Sequence, residues 1–135
     1  MLNKLIPPDL GGRASAALLG LRVFSGVMLA THGWGKIQDP FHWMDKGADA
    51  APPFFQMLAA VSEFFGGLAL AAGALTPLAC FGIACTMVVA VHRHLTKGGS
   101  FELAGVYLAI AVMFMVMGPG RFSLDELLTR RFRAR

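Results

Sequence analysis

The sequence predicts an all-α integral membrane protein: a four-helix bundle with short loops and a C-terminal amphipathic interfacial helix. Three observations carry that expectation. The chain of 135 residues is 56% hydrophobic and only 15% charged, with mean hydropathy +0.59, too apolar for a water-soluble domain of this length. Four apolar stretches meet the roughly 17–25 residues that a straight or tilted helix needs to cross hydrocarbon. Two charges, Arg22 and Glu63, interrupt such stretches. An ionised side chain there costs at least about 2.5–3.5 kcal/mol, so each needs a partner inside the bundle.

The stretches run over about 13–36, 54–75, 77–95 and 101–118 within one transmembrane domain covering 1–135. Residues 1–12 lack the form of a cleaved leader: Lys4 precedes Pro7, Pro8 and Asp9, and no small-residue cleavage site follows. The first span is therefore expected to act as its own uncleaved signal. Asp39-Pro40 opens a short interfacial turn through Phe41, His42, Trp43 and Met44. Gly73-Ala74-Leu75-Thr76-Pro77 is a compact stop and restart, with Thr76 expected to cap the third helix and Pro77 at its first position. Lys97-Gly98-Gly99-Ser100 links the third and fourth helices, with Ser100 as the expected cap. Gly118-Pro119-Gly120 ends the last span, and Ser123-Leu124-Asp125-Glu126 reads as a capping box. The helix that follows has an apolar face of Leu124, Leu127, Leu128 and Phe132 and then arginines. It either lies on the anionic leaflet or serves only as a topology signal.

Four crossings place both termini on one side. Lys4, Arg13, Arg121, Arg130, Arg131, Arg133 and Arg135 fall there, against Lys36, Lys46, Arg93 and Lys97 opposite. The excess puts both termini, with the tail 121–135, in the cytoplasm. The net charge of +4 flanks apolar spans and forms no stripe for nucleic acid.

The interior charges sit on defined faces. Arg22, Leu29 and Lys36 recur at intervals of seven, with Ser25 and His32 between them. Gln56 and Glu63 share a face with Ala59, Ala60, Gly66, Gly67 and Leu70, small residues of the kind that let two helices approach closely. Opposing these faces predicts an Arg22–Glu63 ion pair. Counted from the cytoplasmic helix ends, the two lie roughly 13 and 18 Å deep, a gap of about 5 Å. Such a pair either belongs to a functional site or only sets helix register.

A second constellation gathers at the opposite end: His32, His42, His92 and His94 with Lys36, Arg93, Glu102, Trp34 and Trp43. Three readings apply. Imidazoles, a carboxylate and aromatics at the membrane boundary can bind a quinone head group or another small molecule. The same residues can form an ordinary interfacial belt. A metal site is the weakest reading and none is assigned, because no HxxxH or His/Cys cluster has ligand spacing. Met113, Met115 and Met117 alternate on a helix and cannot converge on one ion. Cys80 and Cys85 form no CxxC and read as packed, inert thiols.

These features resemble the DoxX family of small four-helix membrane proteins. The resemblance rests on Leu21-Arg22 leading to His32-Gly33-Trp34-Gly35-Lys36, on Glu63-Phe64-Phe65-Gly66-Gly67 with Gly73 and Thr76-Pro77, on Gly98-Gly99-Ser100-Phe101-Glu102, and on Gly118-Pro119-Gly120-Arg121-Phe122-Ser123-Leu124-Asp125. It implies residence in the bacterial inner (plasma) membrane. Members of the family are associated with thiosulfate:quinone oxidoreductase and with thiol and oxidative-stress systems. The positions matching its polar motif are Arg22, His32, Lys36, Glu63 and Glu102.

The function expected is a redox-associated membrane subunit that binds quinone or a small molecule and works with a soluble partner oxidoreductase. His32, Lys36, Glu63, His92 and Glu102 are the expected binding residues, and no catalytic residue is assigned. The chain has no dithiol, flavin, haem or iron–sulfur signature, so electrons must come through a bound quinone or a partner. The alternatives are a non-catalytic membrane partner or assembly factor and, third, a small-solute transporter. A homo-oligomer is compatible with each.

Overall fold

The computed structural model describes residues 11–44, 47 and 49–133, so Lys4, Lys46, Arg135 and the segment before Gly11 lie outside the described residues. Five helices follow in order: α1 (Gly12–Gln38), α2 (Pro53–Ala72), α3 (Thr76–Lys97), α4 (Glu102–Met117) and α5 (Leu124–Arg133). No strand occurs among the described residues. Helices α1, α2 and α3, of 27, 20 and 22 residues, are long and apolar enough to cross a membrane. Helix α4 is apolar but has 16 residues, ending where Gly118 turns to positive φ.

The bundle has its polarity inside out. Arg22, Ser25, Gln56, Glu63 and Thr76 are buried, whereas Phe24, Phe65, Leu78, Phe81, Val88 and Val116 are exposed. So much outward apolar surface would drive aggregation in water but suits hydrocarbon. The apolar interior is a small cluster of Leu29, Leu70, Cys80, Ile83, Met87, Tyr107, Ala111 and Phe114. Met113 packs against it, while Met115 and Met117 face outward.

Backbone contact sets how α1 meets α2. A Cβ on Gly26 would lie 2.5 Å from the Gly67 carbonyl oxygen, and one on Gly33 would lie 2.5 Å from the Phe64 nitrogen. Only glycine permits so close an approach. This register overturns the expected Arg22–Glu63 pair. Glu63 stands at the level of Gly33, eleven residues along α1 from Arg22, or about 16 Å. The start of α1 and the end of α2, taken as level in the expected pairing, are not level: α1 begins at Gly12, about ten residues before Arg22 meets the last turn of α2. Arg22 instead meets the last turn of α2, where Nε donates to the Ala71 carbonyl at 3.3 Å. Its Nη1 donates to the Pro119 carbonyl at 2.5 Å and Nη2 to the Phe122 carbonyl at 2.7 Å.

The α2–α3 turn is closed from a distance. Helix α2 ends in a left-handed Gly73 (φ 68°), with the Ala74 N–H donating to the Ala69 carbonyl at 2.9 Å. Leu75 is also left-handed, at φ 48°. The expected Thr76 cap does not form, and the buried Thr76 hydroxyl has no hydrogen-bond partner among the described residues. The carboxylate of Asp125 does the capping, accepting from Leu75 N–H at 2.7 Å and Thr76 N–H at 2.8 Å. Ser100 does not cap α4 either, whose preceding residue is Phe101 with no side-chain cap. At α5 half of the capping box is present: Ser123 Oγ accepts from Glu126 N–H at 3.2 Å, while the Glu126 carboxylate turns to Arg130 at 2.8 Å.

Candidate functional site

At the end of the bundle where α1 stops and α2 starts, Lys36 reaches Glu63. Its Nζ donates to both carboxylate oxygens, at 2.6 and 2.7 Å. The Glu63 side chain is 6% exposed and that of Lys36 27%, so the pair sits at the edge of the interior. Lys36 stands 4.5 Å above the Trp43 ring, a cation–π contact that fixes both. The Trp43 indole N–H donates to the Gln56 carbonyl at 2.8 Å. The Gln56 side chain accepts from Met44 N–H at 3.0 Å and donates to the Ala51 carbonyl at 2.7 Å. Gln56 thus staples the α1–α2 loop onto the first turn of α2, one heptad before Glu63.

These residues bound a cavity of about 780 Å³. Helices α2 and α3 touch where Gly66 meets Ile83 and Gly82 meets Ser62. From there toward the loop end they leave space, lined by Phe55, Leu58 and Ala59 on one side and Cys85, Thr86, Val89 and Arg93 on the other. Lys36, Trp43, Gln56 and Glu63 form its polar wall, and His94 and Lys97 stand at its rim. The loop is also tied to α3, since Arg93 Nη1 donates to the Asp49 carbonyl at 3.1 Å and Lys97 pairs with the Asp49 carboxylate. The Lys97 hydrogen bond, with its charge, holds the Asp49 carboxyl below the usual carboxylate range.

Of the residues expected to form a binding site, Lys36 and Glu63 meet at the cavity. The other three lie elsewhere. His32 is exposed on the α4 side, its Nδ1 2.9 Å from the Met28 carbonyl and its ring edge-on to Tyr107 at 6.2 Å between centroids. His92 and Glu102 are exposed and do not line the cavity. Trp34 packs on Phe64 at 5.5 Å between ring centroids, away from the cavity wall. Cys80 is buried as expected, but Cys85 is an exposed free thiol on the wall, contrary to the reading of both as packed. No group of three or more metal-ligating side chains occurs among the described residues.

Comparison with known proteins adds identity to this geometry. A family model described as DoxX matches residues 17–95, which include Lys36, Gln56, Glu63, Cys85 and Arg93. The inner membrane protein YqjF of Escherichia coli (strain K12) is 31% identical over 124 residues, covering 85% of this chain and 94% of that protein. No solved structure matches. A helical membrane bundle, a family match over more than half of its length and a relative aligned along most of it lead to one conclusion: the chain belongs to the DoxX family.

Proposed function

We propose that this protein is an inner-membrane, redox-associated subunit that binds a quinone or comparable small molecule in the cavity and works with a partner oxidoreductase. The observation that carries the reading is the cavity of about 780 Å³ with the Lys36–Glu63 pair and Trp43 in one wall. Its size suits a small ligand, and its mostly apolar lining with a few convergent polar groups is the usual composition of such sites. A quinone presents acceptor oxygens and a flat ring. Lys36 has one ammonium N–H beyond the two given to Glu63, and Trp43 and Phe55 supply aromatic surface. The inner-membrane location extends the name of the Escherichia coli relative to this chain. The partner belongs to the same reading, because the sequence carries no signature of a resident electron carrier and electrons would come through a bound quinone or a partner.

In the same reading the chain crosses the membrane four times with both termini cytoplasmic. Helix α4 spans only about 24 Å and would need local thinning of the bilayer. A reporter fused after α5 that fluoresces only in the cytoplasm tests the orientation.

The binding test is tryptophan emission of a Trp34→Phe variant, leaving Trp43 as reporter, titrated with a short-chain quinone. Saturable quenching that disappears in Lys36→Met and persists in a His32→Ala, Glu102→Gln double variant is expected. Weak, linear quenching alike in all of them would reject the site. A second reading, a non-catalytic assembly partner, draws on α5, where Leu127, Leu128 and Phe132 are exposed beside Arg130 and Arg131. Co-purification of a soluble enzyme, lost on changing those three to serine, would favour it.

A further inference from the structure

The cavity wall is not electrically balanced. Among the described residues it carries three cations, Lys36, Arg93 and Lys97, and one carboxylate, Glu63. Both oxygens of Glu63 are engaged by Lys36. Arg93 and Lys97 both act on Asp49, whose carboxylate hydrogen-bonds Lys97. Arg93 hydrogen-bonds only the Asp49 carbonyl, at 3.1 Å on Nη1, and its charge meets the carboxylate without a hydrogen bond, as the weakest of the influences on it. Among the described residues, Lys36, Arg93 and Lys97 against Glu63 and Asp49 leave one positive charge over on the cavity side of α3. The C-terminus of that helix contributes about −0.5 charge, which reduces the surplus without cancelling it. Next to apolar walls such a charge attracts an anion more strongly than it would in water.

The surplus also has a direction. Along α3 the wall passes from Lys97 and Arg93 to Val89, then Thr86 and Cys85, with Phe55 and Leu58 of α2 opposite. It is cationic at the helix end and apolar toward the bundle centre. The guanidinium fork matches the two oxygens of a carboxylate or phosphate. We infer that the cavity takes an amphiphile with one anionic head, a carboxylate or a phosphate monoester, its head on Arg93 and its apolar body between α2 and α3. This inference rests on the small-molecule reading of the cavity and specifies the charge of the ligand.

The test uses the full chain, carrying Trp34→Phe, in nanodiscs of phosphatidylcholine. Trp43 emission and the rate at which maleimide labels Cys85 are followed during titration with decanoate, decyl phosphate, methyl decanoate and decyltrimethylammonium. Saturation by at least one of the two anions, with slowed Cys85 labelling and methyl decanoate about tenfold or more weaker, is expected for a charge-assisted head contact. Arg93→Gln should weaken the anion by about the same factor and leave the ester unchanged, which also reports that the variant is folded. Preference for decanoate over decyl phosphate identifies a free fatty-acid type of ligand, and the reverse a lipid phosphate. Ester or ammonium binding as tight as that of either anion, or anion affinity indifferent to Arg93→Gln, overturns the anionic head and leaves the cavity reading standing. No saturation by any of the four or by a quinone overturns both.

Discussion

Replacing Gly33 with alanine asks whether α1 and α2 meet backbone to backbone. The added Cβ would lie 2.5 Å from the Phe64 nitrogen and 2.9 Å from the Glu63 carbonyl carbon. Carbon contacts settle near about 3.5–4.0 Å, so the helices must part by about 1 Å there. The obstacle is main chain and cannot rotate aside. Overpacking of this kind costs about 1–3 kcal/mol, and the upper end applies here. Alanine returns about 1 kcal/mol through its better helix propensity, leaving a net loss of about 2 kcal/mol. For a chain of this size that lowers the unfolding midpoint by about 8 °C. Gly35, two residues on, is the control, because a Cβ there meets nothing within 4 Å. Gly35→Ala should raise the midpoint by up to about 4 °C. Thermal unfolding in detergent, followed by tryptophan emission, reads both. Quinone titration of Gly33→Ala should weaken as well, because parting the helices pulls Lys36 from Glu63. If Gly33→Ala and Gly35→Ala shift the midpoint in the same direction by similar amounts, the close α1–α2 contact is wrong.

Asp125→Ala should lower stability by about 1–2 kcal/mol, the cost of losing a helix N-cap, and Asp125→Asn by less, since one oxygen remains to accept. Equal losses in both variants, measured by thermal unfolding, would mean that the two N–H contacts to Leu75 and Thr76 are not what matters. Maleimide should label Cys85 quickly and Cys80 only on unfolding, because Cys85 is exposed and Cys80 buried, and mass spectrometry of labelled peptides distinguishes them. Asp49 has its pKa lowered by Lys97, so their contact contributes stability above the usual carboxylate range and loses it as pH falls through the lowered value. In a carboxyl NMR titration, Lys97→Gln should move the Asp49 midpoint upward; an unchanged midpoint would dissociate the two.

What could be read beforehand was faces, and what could not was levels. The heptad spacing of Arg22, Leu29 and Lys36 placed two cations toward α2, and Gln56 with Glu63 placed the carboxylate toward α1. Which cation met Glu63 depended on sliding one helix along the other, and that was set by Gly26, Gly33 and Gly67. Gly26 and Gly33 are themselves seven apart on the same side, a signal that points to the register once Gly67 is taken as their counterpart. The histidine grouping failed for the opposite reason. His32, His92 and Glu102 share a level with the cavity but are not among its lining residues, since equal depth does not imply a common face. Trp43 and Arg93 were in the same grouping, and Arg93 shares the helical spacing of Thr86, Val89 and Lys97, but the loop and the gap between helices that bring them to one cavity leave no periodic trace. The cap on α3 had no local signal at all, because its donor groups and Asp125 are about fifty residues apart.

The clasp around Arg22 and Asp125 has a consequence for the order in which the protein is made. Two of the three carbonyls that hold Arg22, from Pro119 and Phe122, and the carboxylate that starts α3 all leave the ribosome after α1 to α4. Until then Arg22 is left with Ala71 alone, a cation short of acceptors in an apolar setting. A chain truncated before Pro119 therefore has α1 to α4 complete and an unmet charge at the end of the bundle where α2 stops. Such a chain differs from the finished one in an uncompensated guanidinium, met only when the last segment folds back onto it.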